Sequence, residues 1–154
     1  KYLNRVSEGR LSIDSKNQIR IMLREISELE SIADSCFNMS RVINRKFQMK
    51  ETFTDEQLQH IHHMFELCEQ AISQMERVLH DSDNAINPHT SLNIELEINN
   101  YRTQLKENNV IDINEQKYDY QTGVNYMDII GDSEKIGDYA INVVEAHTQT
   151  KLTT

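Results

Sequence analysis

Glycine and proline are scarce in this sequence and tryptophan is absent: four Gly, one Pro and no Trp among 154 residues. So few turn-formers exclude architectures made of many short strands and leave a small number of long elements, which points to helices. Cysteine is rare too, with only Cys36 and Cys68. Each lies among apolar residues at helical spacing, which reads as two buried free thiols in a reducing compartment rather than a disulfide or a metal clip. No run of about 18 apolar residues is present, so no direct membrane insertion is expected, and the N-terminus lacks the pattern of a signal peptide. Basic residues are outnumbered, 16 against 25 acidic for a formal charge of −9, and no Lys/Arg run forms a phosphate-tracking stripe. Nucleic acid is therefore not an expected partner. Chemical motifs are missing as well: there is no Gly-x-Ser-x-Gly elbow, no Walker-type phosphate loop, and no Glu-x-x-His pair of the kind a ferritin-like di-iron bundle needs. An enzyme is not expected. The chain starts at Lys1 rather than Met, which reads as part of a longer polypeptide.

What is present is helical periodicity on the scale of one domain. From Ser15 to Phe47 the apolar residues Ile19, Met22, Leu23, Ile26, Leu29, Ala33, Phe37 and Ile43 recur at three and four, with Ser15 and Gln18 spaced as a capping box. Thr54 and Gln57 form a second capping box before Leu58, Ile61, Phe65, Cys68, Ile72, Met75 and Leu79, and the polar stretch Asp81 to Asn87 with Pro88 ends that helix. Between Thr90 and Glu107 the pattern fits both a strand and a helix; its length, and the lack of a second strand to pair with, select helix. After a turn over Asn108 to Asn114, a last helix is expected from Glu115 to His147, with Met127, Ile130, Gly137, Ile141 and Val144 on one face. The expectation is an all-α antiparallel bundle of four long helices over residues 15–149. Residues 1–14 read as the end of a preceding helix with a turn at Gly9, and residues 150–154 as a frayed tail.

Two segments match at an offset of 104 residues: Glu30, Ile32, Asp34 and Asn38 in the first helix align with Glu134, Ile136, Asp138 and Asn142 in the last. Each copy places Glu and Asp at i and i+4 on one helix face, with Asn a turn further on. Glu30 and Glu134 fall at or beside the apolar seams, and the residue before each Asp is small, Ala33 or Gly137. Carboxylates from neighbouring helices supply oxygen ligands to hard cations and iron, so two such pairs pointing into a bundle can build a metal site. Ion pairing with Lys or Arg across helices is the competing reading. His60, His62 and His63 splay over different helix faces and read as flank histidines rather than a zinc site.

In the segments at residues 30–34 and 134–142 the chain resembles the PhoU family, whose three-helix repeats carry an acidic E(D)xxxD motif followed by small apolar residues and Asn. The second copy is the closer match; the first has Ser31 where a basic residue is common, and the second has Ser133 where Leu is. Residues 24–34, preceded by 11–15, are similar to the PhoU-like C-terminal domain of bacterial sodium/phosphate cotransporters. The resemblance implies one complete three-helix repeat plus the last helix of another. It also implies regulation of phosphate uptake at the cytoplasmic side of the inner membrane, with the transporter portion of the same polypeptide as partner and a homodimer as a second candidate. An iron or zinc cluster held by Glu30, Asp34, Glu134 and Asp138, flanked by Asn38 and Asn142, is what the family motif implies. A metal-free helical adaptor in phosphate signalling is the alternative.

Overall fold

The computed structural model describes residues 12–49, 51–81 and 85–152. They fold into four helices: α1 Ile13–Gln48, α2 Asp55–Leu79, α3 His89–Asn114 and α4 Tyr120–Thr148. No strand occurs among the described residues, and the expected turn at Gly9 lies outside them.

Helix ends follow local chemistry. Ser12, not Ser15, caps α1, accepting the Ser15 amide at 3.1 Å, so the helix begins two residues before the expected start. The Thr54/Gln57 capping box of α2 forms as its spacing predicts. Helix α3 runs through the segment expected to turn, because Leu105, Asn109 and Ile113 keep facing the bundle; a Cβ on Gly123 of α4 would lie 2.5 Å from Ile113 Cδ1. The real turn is at residues 115–118, and α4 starts behind Asp119, whose carboxylate accepts the Thr122 amide at 2.6 Å. With so few glycines, glutamines take the left-handed positions after α3 and α4: Gln116 at φ 59° and Gln149 at φ 53°. Asn and Gly take such positions at lower cost.

Successive helices run antiparallel, and α4 is the hub. It packs against α1, α2 and α3, while α1 packs along α4 and against neither of the other two helices. Tyr126, Ile129, Ile130, Ile136, Val143 and Val144 of α4 are all buried, spread around its circumference. They meet Met64, Leu67, Ile98 and Leu105 in one core. Close approach is set by small residues: a Cβ on Gly137 would sit 2.9 Å from Cδ1 of the fully buried Ile98. Cys68 also points into this core, its thiol donating to the Ser133 carbonyl at 3.3 Å, and burial pushes its pKa up to about 12. Cys36, expected to be buried as well, is exposed.

The first helix has two apolar stripes, and the buried one is not the richer. Ile19, Ile32, Met39 and Val42 face α4, together with Ser35 and Lys46. Of the seam that periodicity selects, Ile19 is buried, whereas Met22, Leu23, Ile26, Leu29, Ala33, Phe37 and Ile43 are exposed. Which stripe is buried is decided by the partner, and α4 covers only one. Polar ties fix the α1–α4 contact at both ends: Arg45 donates to Asn125 at 2.9 Å and the buried Lys46 to Thr122 at 3.1 Å, while His147 meets Glu25 at 3.0 Å. Beyond α4, residues 150–152 of the expected frayed tail instead fold back, with Leu152 buried in the core and its amide donating to Glu145 at 2.7 Å, and residues 153–154 lie outside the described residues.

Two glycines on one helix should respond oppositely. Gly131 has nothing within 4 Å of an added Cβ, so Gly131→Ala should stabilise the bundle by about 1 kcal/mol through helix propensity. Gly137→Val should destabilise it by about 1–3 kcal/mol by overpacking against Ile98. Urea unfolding measures both, and shifts of the same sign would contradict the packing described.

Candidate functional site

The two motif copies have different surroundings because α1 and α4 do. Glu30, Asp34 and Asn38 are exposed on the open side of α1, beside the uncovered apolar stripe. Glu134, Asp138 and Asn142 are half-buried on α4. The structure therefore does not gather both acidic pairs into one site as the sequence suggested.

The second copy faces α3. Glu95, Asn99 and Arg102, at i, i+4 and i+7, form a polar stripe opposite Glu134 and Asp138. Arg102 Nε lies 3.9 Å from Glu134 Oε2, an ion pair without hydrogen-bond geometry, and Asn99 Nδ2 donates to Glu95 Oε1. Asn142 reaches the other way, donating to Glu28 Oε2 of α1 at 3.2 Å. Three buried polar atoms here are left without a hydrogen-bond partner: Glu95 Oε2, Asn99 Oδ1 and Arg102 Nε. Such groups cost free energy unless something else satisfies them.

A proton is the first candidate. Desolvation, then the charges of Glu134 and Glu95, raise the Asp138 pKa to about 6 from an ordinary 3.8, and a hydrogen bond shared with Glu95 adds to this. Protonated Asp138 then donates to Glu95, which is itself only 7 % exposed. For a metal the donors are of the right kind, since Glu95, Glu134 and Asp138 all offer oxygen. Their arrangement does not fit a cluster: among the described residues no three His, Cys, Asp or Glu side chains converge as a ligand set, and Arg102 already places positive charge beside Glu134.

The α3 half of this site was missed in the sequence. Its signal was there, a Glu/Asn/Arg stripe at helical spacing, obscured because Leu92, Ile94, Leu96 and Ile98 alternate. The three histidines have separate surroundings. His60 Nδ1 lies 3.0 Å from the Tyr126 hydroxyl, and His63 meets the Tyr101 ring edge at 4.9 Å. His62 is exposed.

The Asp138 shift fixes a sign for the pH dependence. Its folded pKa lies above its unfolded value, so between about pH 4 and 6 the folded state holds the extra proton and stability falls as pH rises through that window. Asp138→Asn should remove this loss: the variant should melt higher than the parent above pH 6 and at nearly the same temperature near pH 4. Thermal melts across that range test it, and a variant less stable at pH 7.5 would overturn the assignment.

No curated protein and no solved structure matches the chain. The family model for the PhoU domain matches residues 61–146, from the first turns of α2 to the last turn of α4, with the second acidic motif inside the match. That span covers more than half of the sequence and takes in most of α2, all of α3 and most of α4, so this chain belongs to the PhoU domain family.

Proposed function

We propose that this chain is the cytosolic regulatory domain of a sodium-dependent phosphate cotransporter of a bacterial inner membrane, where it modulates phosphate uptake. The observation that carries the reading is the uncovered stripe of α1. At the 104-residue offset, Met22, Ile26, Leu29, Ala33, Cys36 and Ser40 correspond to Tyr126, Ile130, Ser133, Gly137, Ala140 and Val144. Every one of those α4 positions is buried, and Tyr126, Ser133 and Gly137 meet α2 or α3. The bare stripe of α1 thus asks for a pair of helices like α2 and α3, as expected where a preceding repeat joins this one to the transporter portion of the same polypeptide. Regulation then needs two arrangements of these helices that differ in affinity for an effector. The α1–α4 contact suits this, since polar ties rather than a continuous apolar seam hold its ends.

The metal-free adaptor is the second reading, favoured by the Arg102–Glu134 ion pair, which already sets a cation beside the acidic motif. An iron or zinc cluster would need ligands beyond Glu134 and Asp138. Elemental analysis of protein purified without chelator separates the two readings. Stoichiometric metal that disappears in the Glu134→Ala/Asp138→Ala variant supports the cluster, and metal-free protein in both supports the adaptor.

For the transporter assignment the test is sodium-driven phosphate uptake into vesicles bearing the parent polypeptide. Ile26→Glu/Leu29→Glu changes two exposed residues, so the isolated domain should keep its stability within about 0.5 kcal/mol. Uptake should still depend on sodium but lose its adjustment to the phosphate supply. Unaltered regulation in this variant, and in a polypeptide lacking α2–α4, would sink the proposal.

A further inference from the structure

A second, oppositely charged feature lies at the other end of the α1–α4 contact. Arg20 and Arg24, one turn apart on α1, and Lys151, beyond α4, line an open cleft of about 600 Å³ together with Asn17 and Glu145. Its shape depends on the chain reversal after α4. Gln149 adopts the left-handed conformation, Leu152 is buried, and Glu145 Oε1 accepts the Leu152 amide at 2.7 Å. This anchoring holds Lys151 at the rim instead of leaving it on a loose end.

The local charges do not cancel. Among the described residues Glu145 is the one acid lining the cleft; one of its oxygens is taken by Leu152, and the other lies 3.9 Å from Arg24. Glu25, on the neighbouring face of α1, is occupied by His147. Arg20 donates to neutral Asn17 at 3.1 Å, and no hydrogen bond or ion pair among the described residues holds the Lys151 ammonium. The C-terminus of α4 adds about half a negative charge, too little to balance three cations against one carboxylate. In a chain of net charge −9, such a positive cleft is the exception.

We infer that this cleft binds a phosphate group, whether free inorganic phosphate or the headgroup of an anionic phospholipid. Two arginines and one lysine lining a single space suit a compact ligand with several oxygens and more than one negative charge, better than a carboxylate with two. The site shares no residue with the acidic motif, so the inference stands apart from the transporter assignment.

The experiment is a pair of titrations of the parent chain and of Arg20→Gln/Arg24→Gln/Lys151→Gln, whose exposed substitutions should leave the melting transition in place. In the first, amide NMR shifts are followed as sodium phosphate is added against sodium chloride at equal ionic strength. In the second, both proteins are sedimented with phosphatidylcholine vesicles with and without phosphatidic acid. Saturable phosphate-specific shifts at Gln149 to Leu152, with half-saturation raised at least about tenfold in the variant, identify free phosphate as the ligand. Cosedimentation with phosphatidic acid vesicles that the variant loses, without a response to free phosphate, identifies the headgroup. Shifts no larger than those from chloride together with no vesicle binding, or equal responses from both proteins, overturn the inference.

Discussion

Three helices leaning on one is the constraint from which most of this structure follows. Helix α4 has no free face wide enough to be purely polar, so its apolar residues spread around its circumference, and where neighbours come closest it carries Gly123, Ser133, Gly137 and Ala140. Small side chains let backbones approach and leave the bulk to be supplied from the other side by Ile98, Ile113 and Met39. This is interdigitation of large and small across a contact, and it makes each small position specific to its partner.

The acidic motif lives inside that constraint. A helix buried on several sides cannot carry polar side chains without compensation, and the compensation differs for each one: an arginine for Glu134, a raised pKa beside Glu95 for Asp138, and for the Asn142 amide a carboxylate on α1. The first copy meets no such demand, because its side of α1 is open. The motif positions match but their burial does not, and so their chemistry differs: the motif acts as a polar inlay whose state depends on what packs over it.

Helix number, order and type were legible because the 3.6-residue period is strong and punctuation is rare. The Thr54/Gln57 cap and the end of α2 were legible for the same reason. Less visible was the depth of burial. Periodicity reports that α1 has an apolar side but not which of two stripes meets a neighbour, and it chose the stripe with Met22, Ile26 and Leu29 over the one with Ile32, Met39 and Val42. The end of α3 was misplaced because Asn108 and Asn109 look like turn residues, whereas Asn109 is buried and accepts from the Tyr118 hydroxyl at 3.0 Å. Of the site, the α4 half was read from the repeat; the α3 half carries no repeat and came into view only with the fold.

The uncovered stripe of α1 also has a metre. Met22, Ile26, Leu29, Ala33, Cys36, Ser40, Ile43 and Phe47, all exposed, alternate steps of four and three without interruption. A strict period of 3.5 residues drifts slowly around a helix of 3.6 per turn, and a neighbour that follows it must wind left-handed at a shallow crossing of about 20°. Whatever covers α1 is thereby restricted to helices running almost along its length, and a steeply crossing or sheet-like surface would touch the stripe at one point and leave the rest in water.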